Sequence, residues 1–317
     1  LKVRGGVMEP LLRVSMHNPC PVCNRADWCG FNDKVVVCMR VPSERPSRNG
    51  GWVHKIGIEK EKYEELLKSI NSNRAPRRDD SSLDKVYRKL LSLLELSSKH
   101  RRELRGRGMT DEEIEYYQYR TLPKKNRSSI VRRLIDYDLS GVPGFGLRGG
   151  RWILAGPPGL LIPVMSPEKK IVSFQVRPDR QLPGRKYLSL SSSWLDQGSS
   201  PGVRIHAAVP RCVKDPALWI TEGPIKANIA AERLGAIFWS VLGVNNWSGI
   251  FSYFDMIPSK VVIAYDQENK PQVNYHRDAL RQALAKYGVD VFLAVWDRGK
   301  GIDDALVAGV PIRKLTH

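Results

Sequence analysis

From Ala217 onward the chain repeats one pattern: a short apolar run, an acidic residue at its end, a turn, then a helical stretch. Ala217 to Thr221 leads to Glu222, Gly223 turns the chain, and Pro224 suits the first position of a helix over Ile225 to Leu234 that Gly235 closes. Ala236 to Ser240 is a second apolar run, and Val261 to Tyr265 a third that delivers Asp266 and then Glu268. A helix follows from about Val273 to Tyr287, then a strand from Val289 to Trp296, and Lys300-Gly-Ile-Asp303-Asp304 opens a last short helix. Strands this apolar need cover on both faces, and parallel neighbours need crossovers. The alternation therefore predicts an α/β unit around a parallel sheet.

Open parallel sheets bind ligands outside the carboxyl ends of their strands. Glu222, Asp266, Glu268, Asp303 and Asp304 all belong to that edge. Such carboxylates repel one another unless a cation neutralises them, and hard oxygen donors select Mg²⁺ or Mn²⁺. A divalent ion so held suits phosphoryl transfer, where charge builds on the attacking and leaving oxygens. The competing structural reading makes each acid a favourable first-turn partner of a helix dipole. That accounts for one acid more readily than for acids at several strand ends.

A second constraint lies at the front, where Cys20, Cys23, Cys29 and Cys38 fall within 19 positions and the fifth cysteine, Cys212, is remote. In a reducing compartment this clustering argues for metal rather than disulfides. Cys20-Pro-Val-Cys23 has knuckle spacing, and a hairpin from Asp27 through the turn Asn32-Asp33-Lys34 to Val37 brings Cys38 to the end of a returning strand. His54 follows in Gly-Gly-Trp-Val-His. The set Cys20, Cys23, Cys38 and His54 predicts a closed structural Zn²⁺ site, with Cys29 competing for the fourth position.

Charge separates the two ends. The chain carries 51 Lys+Arg against 33 Asp+Glu, net +18, and residues 1–210 hold 38 and 22 of them. A basic front two-thirds points to a polyanionic partner such as nucleic acid. No apolar run approaches the roughly 18 residues a membrane helix needs. Leu1 to Asn18 shows no secretory h-region, so the cytoplasm is the expected compartment. Between the ends, helical patterns run over Glu59 to Ile70 and Leu83 to Leu104, and Thr110 with Glu113 forms a capping-box signature. Leu160 to Val164, Ile171 to Arg177 and Lys186 to Leu190 read as strands, and the glycines of Gly144-Phe-Gly-Leu-Arg-Gly-Gly150 as turn formers. The expected organisation is a zinc ribbon over 1–58, a basic helical connector over 59–108, a basic α+β subdomain over 109–210 and the parallel-sheet domain over 211–317.

Thr221-Glu-Gly-Pro-Ile-Lys-Ala, Tyr265-Asp-Gln-Glu268 and Lys300-Gly-Ile-Asp-Asp304 resemble the Toprim domain of bacterial primases, topoisomerases and some nucleases. With the cysteine module in front, the chain from about residue 17 to 310 is similar to bacterial-type DNA primases of phages, plasmids and other mobile elements. Leu161-Ile-Pro-Val, Phe174-Gln-Val-Arg177 and Lys186-Tyr-Leu-Ser match signatures of the primase core. The resemblance implies an α+β chain that synthesises short RNA primers on single-stranded DNA from nucleoside triphosphates, with Mg²⁺ or Mn²⁺. It implies Glu222 as the acid assisting proton transfer, Asp266 and Glu268 as the metal pair, and Asp303 with Asp304 in support. Arg177, Lys186 and Lys226 would meet nucleotide or template phosphate. The family usually has a second aspartate where Glu268 stands, which alters reach by one methylene. No Walker motif is present, so a separate helicase is expected as partner. A Toprim nuclease and a catalytically weak single-strand-binding replication factor are the alternatives.

Overall fold

The computed structural model describes residues 11–14, 18–25, 29–47, 51–57, 59, 61, 74–180, 186–267 and 271–316. The chain divides into two compact units, residues 1–73 and 74–317.

The first unit is a small antiparallel sheet in the order β1-β2-β3-β4, formed by Leu12–Arg13, Gly30–Phe31, Val35–Cys38 and Trp52–Lys55. The hairpin expected between Cys29 and Cys38 is present. Asn32 Oδ1 accepts from the backbone N–H of Lys34 at 3.0 Å and of Val35 at 2.8 Å, closing the turn with a side chain. Its core consists of Val14, Phe31 and Val36 with Cys20, Cys29 and Cys38. So few apolar groups bury too little surface to hold a fold alone, which makes a metal clip the natural supplement. The helix expected over Glu59 to Ile70 lies almost wholly outside the described residues.

The second unit begins with two helices where the sequence predicted one. Helix α1 covers Asp80–Ser92 and α2 covers Ser98–Gly106. The break has a physical cause on both sides. Leu93 closes α1, its backbone N–H donating to Leu90 O and Leu91 O, and Ser97 is the N-cap of α2, its side chain accepting from His100 N–H. Strand β5 (Arg120–Leu122) then takes up the exposed backbone: Thr121 N–H donates to Glu95 O at 2.9 Å, and Ser97 N–H donates to Thr121 Oγ1 at 2.9 Å. Helix α3 (Asp111–Tyr116) carries the predicted capping box of Thr110 and Glu113, and α4 spans Arg127–Arg132.

A hairpin of β6 (Phe145–Arg148) and β7 (Arg151–Leu154) turns at Gly149 and Gly150, whose φ values of +56° and +73° are those a two-residue hairpin turn demands. The glycine-rich stretch is therefore a turn former, as expected. An antiparallel sheet follows in the order β10-β9-β8-β5, with β8 at Gly159–Met165, β9 at Ile171–Pro178 and β10 at Leu188–Ser189. Tyr87 of α1 packs edge-on to Phe174 of β9 at 4.7 Å and donates its hydroxyl to Pro143 O at 2.8 Å.

The last sheet has six strands in the order β11-β13-β12-β14-β15-β16, namely Ile205–Ala208, Ala236–Val241, Asp215–Glu222, Lys260–Ile263, Asp290–Val295 and Arg313–Thr316. The four central strands are parallel and both edge strands antiparallel. Along β12, Trp219 faces a core with Ile225, Ala227 and Ala230 of α5 (Pro224–Leu234) and Ile302 and Ala305 of α7 (Ile302–Val307). Leu218 and Ile220 face the opposite core, with Leu280 and Leu284 of α6 (Pro271–Ala285) and Ile250 of the 3-10 segment Val244–Met256. Both faces are covered, as the uninterrupted apolar runs require.

Candidate functional site: an acidic rim beside a basic cleft

Strand β12 lies between β13 and β14, so the chain leaves β12 to one side through α5 and later returns on the other. The crevice at the carboxyl ends of β12 and β14 is the topological switch point of this sheet. Glu222 ends β12, Asp266 follows β14 by three residues, and Asp303 stands on the first turn of α7, 2% exposed. The backbone N–H of Asp266 donates to Glu222 Oε1 at 2.9 Å, locking two of the strand ends together. Gln267 fastens the third loop, donating its backbone N–H to Lys300 O at 3.1 Å and its side-chain amide to Trp296 O at 2.9 Å. Gly301 makes the convergence possible. A Cβ there would lie 2.6 Å from Asp303 Oδ1, 3.1 Å from Asp266 Oδ1 and 3.2 Å from Lys226 Cε.

Cations answer these acids. Lys226, one turn into α5 from Glu222, places Nζ 3.5 Å from Glu222 Oε1 and hydrogen-bonds Asp266 Oδ1. Lys300 Nζ is 3.9 Å from Asp266 Oδ2. Arg107, at the end of α2, donates to Asp303 Oδ2 at 2.5 Å and to Tyr187 Oη at 3.5 Å. Burial raises the Glu222 carboxyl above its ordinary value against the pull of Lys226, with Asp266 adding to the rise. Burial alone would lower Lys226, but Glu222 and Asp266 outweigh it and hold the ammonium charged. Glu222 Oε2 is buried and, among the described residues, has no hydrogen-bond partner. That orphaned oxygen, and the space Gly301 leaves between two carboxylates, fit a small oxygen-loving divalent cation.

Of the residues expected here, Glu222, Asp266 and Asp303 come together. Asp304 is on the same helical turn but exposed, and Glu268 lies outside the described residues. Lys226 does not face outward toward phosphate; it is committed to the two carboxylates, because four residues on a helix return a side chain to the same face.

Arg177 and Lys186 are brought together with Lys99, His100, Glu103 and Asp179 around a cleft of about 200 Å³. Arg177 Nη1 is 3.6 Å from Glu103 Oε2, and Lys99 Nζ is 2.6 Å from Asp179 Oδ1. Burial lowers the Lys186 ammonium, and the charges of Arg107, Arg177 and Lys300 lower it further. Arg107 reaches both Asp303 of the rim and the hydroxyl of Tyr187, the residue next to Lys186, which makes the two features neighbours. Burial lowers the His100 imidazole, against the opposing pull of Asp179 and Glu103. Asp179 Oδ1 can only accept, so the Nε2–H of the neutral ring donates to it at 3.2 Å and Nδ1 accepts from the Thr121 hydroxyl at 2.8 Å, whose oxygen in turn accepts from Ser97 N–H. Sequence reasoning did not single out Lys99, His100 or Asp179, and placed Arg107 only within the basic helical connector. Their charged partners lie 79 to 196 residues away, beyond any local spacing signal.

In the first unit Cys20, Cys23, Cys29 and Cys38 gather with all four Sγ atoms within 4.8 Å of one another. Zinc–sulfur bonds of about 2.3 Å at tetrahedral angles set sulfurs about 3.8 Å apart. Cys23 and Cys29 are 3.7 Å apart, and Cys29 and Cys38 are 3.9 Å apart. The fourth position therefore belongs to Cys29, correcting the expectation of His54. His54 pairs with Val36 across β3 and β4, and its Nε2 is 2.9 Å from Val41 O. Backbone N–H groups of Met39 and Val41 donate to the sulfurs of Cys29 and Cys38, each at 3.3 Å, as thiolates in a metal knuckle require. The cluster suits a structural zinc and, with four protein ligands, leaves no open position for catalysis.

The fold is thus mixed α+β, a four-cysteine, zinc-ribbon-like module accompanied by a primase-like core. Among solved structures, the chain is similar to the zinc-binding and RNA polymerase domains of the Aquifex aeolicus primase, with a TM-score of 0.54 at 13% identity over 81% of this chain and 68% of that one. It is also similar to the DnaG catalytic core, with a TM-score of 0.51 at 15% identity over 72% of this chain and 76% of that one. No protein-family model matches the sequence, and no curated protein matches it. Identities this low speak for a shared fold. Among the described residues no helix is long and apolar enough to cross a membrane.

Proposed function

We infer that this chain is a primase, a Toprim nucleotidyltransferase of the DNA-directed RNA polymerase type that joins nucleoside triphosphates on a single-stranded DNA template. The observation that carries this reading is the convergence of Glu222, Asp266 and Asp303 at the switch point of a primase-like sheet, beside the cleft of Arg177 and Lys186. Asp266 and Asp303, joined by Glu268 and Asp304, would hold Mg²⁺ or Mn²⁺. Once bound, the ion supplies charge stabilisation at the transferring phosphoryl group and activates the attacking hydroxyl. Ionised Glu222, whose proton affinity burial raises, would take the proton of that hydroxyl. Lys186 and Arg177 would neutralise triphosphate or template phosphate, and Lys99 with the His100–Asp179 pair would shape the same wall. The zinc module would carry template contacts. The setting proposed is cytoplasmic replication of a mobile element, with a separate helicase opening the duplex.

The pairing of Asp266 with Lys226 and of Asp303 with Arg107 favours one other reading, a replication factor that binds single strands with a rim too well neutralised for catalysis. Incorporation of labelled ribonucleotides on single-stranded DNA with Mg²⁺ or Mn²⁺ separates them. Primer synthesis lost on Asp266→Ala supports the primase. Binding of DNA without synthesis supports the second reading, and shortened template a nuclease.

A further inference from the structure

Two-metal centres place their ions about 3.5–4 Å apart and bridge them with a shared carboxylate. The central carboxylate of this rim is Asp266, and one of its oxygens already has a cation. Lys226 Nζ bonds Asp266 Oδ1 and stands 3.5 Å from Glu222 Oε1, spanning the same two carboxylates a second metal would span. The arrangement is built rather than incidental. Lys226 is 11% exposed, and the i, i+4 spacing from Glu222 through the first turn of α5 aims its stem into the rim. A Cβ at Gly301 would lie 3.2 Å from Lys226 Cε, so the stem passes over a position that glycine keeps open.

We propose that Lys226 is a resident monovalent cation of the acidic rim, standing where a second metal would stand, so that the site takes one divalent ion per chain instead of a pair. The proposal rests on the reading of the rim as a divalent-ion site. Its chemical logic is charge. Arg107 already pairs with Asp303 and Lys300 stands 3.9 Å from Asp266 Oδ2, so Lys226 adds its charge at the position that Glu222 and Asp266 share, and a second divalent ion brought there would be repelled by the ammonium. Lys226 also spares the rim from needing a metal to keep its acids together, so the site is formed in advance of the ion.

Titration of the zinc-loaded full chain with Mn²⁺, followed by the electron paramagnetic resonance of free Mn²⁺, tests this without reference to activity. The thiolate cluster does not compete for so hard an ion. The expected result is one Mn²⁺ bound by the unaltered protein and lost in Asp266→Ala. Lys226→Met, and Lys226→Gln as the polar variant that keeps the site hydrated, should each gain a second bound Mn²⁺ or bind the first at least about tenfold more tightly. Two ions bound with Lys226 in place, or no change in number or affinity in both variants, would overturn the proposal. A protein whose Mn²⁺ binding is absent or indifferent to Asp266→Ala would instead overturn the underlying reading of the rim, and the proposal with it.

Discussion

Replacing Gly301 by alanine puts a carbon 2.6 Å from Asp303 Oδ1, where ordinary contact begins at 3.4 Å. The Asp303 carboxylate must therefore retreat by about 0.8 Å, or the backbone of the loop by a similar amount. Arg107 already grips the other oxygen of Asp303, so retreat means breaking a 2.5 Å charge-assisted hydrogen bond or carrying Arg107 along. The backbone itself tolerates alanine, since Gly301 has φ of −102°, open to any residue. The variant should fold and keep its melting temperature within a few degrees, because the added methyl meets side-chain oxygens of a site and not the packed core. Its effect should fall on chemistry: a displacement near 1 Å in a positioned site costs on the order of 100-fold in rate. Primer synthesis is the assay, with single-strand DNA binding measured beside it. Gly301→Ala retaining synthesis within twofold of the unaltered protein would refute the claim that Asp303 and Asp266 must meet over Gly301.

Cys29→Ser should abolish stoichiometric zinc in protein purified under reducing conditions, whereas His54→Ala should retain about one equivalent, read by metal analysis. DNA binding should weaken steeply with salt through counterion release. Arg177→Ala and Lys186→Ala should depress synthesis more than binding, an equal loss in both marking them as simple phosphate contacts. His206 is fully buried, accepting from Met165 N–H at Nδ1 and facing Asn228 Oδ1 with Nε2, and burial lowers its pKa to about 4. The unfolded chain takes up a proton near pH 6.5 and the folded chain only near pH 4, so stability is complete above the first value and declines as pH falls toward the second. The loss should total about 3 kcal/mol in denaturant midpoints measured across that window. Absence of such a decline would contradict the buried neutral imidazole.

Much of the sheet was legible because each strand there is a continuous apolar run bounded by turn chemistry, and each helix has a marked end. Gly235 at φ +62° and the Thr110–Glu113 box are local signals that tertiary structure had no reason to override. The edge strands Ile205–Ala208 and Arg313–Thr316 were not read, being short and, in the second case, polar. The helix break at Leu93 to Ser97 was missed because the apolar spacing continues across it, while its cause is capture by β5 from further along the chain. The acids of the rim could be placed on one sheet edge from strand polarity alone, but their counter-ions could not. Lys226 satisfies the spacing of a phosphate contact and of an internal ion pair equally, and Arg107 meets Asp303 across 196 positions. For the zinc module, cysteine and histidine spacing allowed two fourth ligands. The folded hairpin decides between them by bringing the Cys29 sulfur within 3.7 Å of Cys23 and 3.9 Å of Cys38.

The most direct test of the central claim is anomalous scattering from crystals of this chain soaked in Mn²⁺. A manganese peak bonded to carboxylate oxygens of Asp266 and Asp303 at about 2.0–2.3 Å, close to the distances hard divalent ions adopt, is the expected result. Absence of any peak there, with Asp266 still on Lys226 and Asp303 still on Arg107, would contradict it.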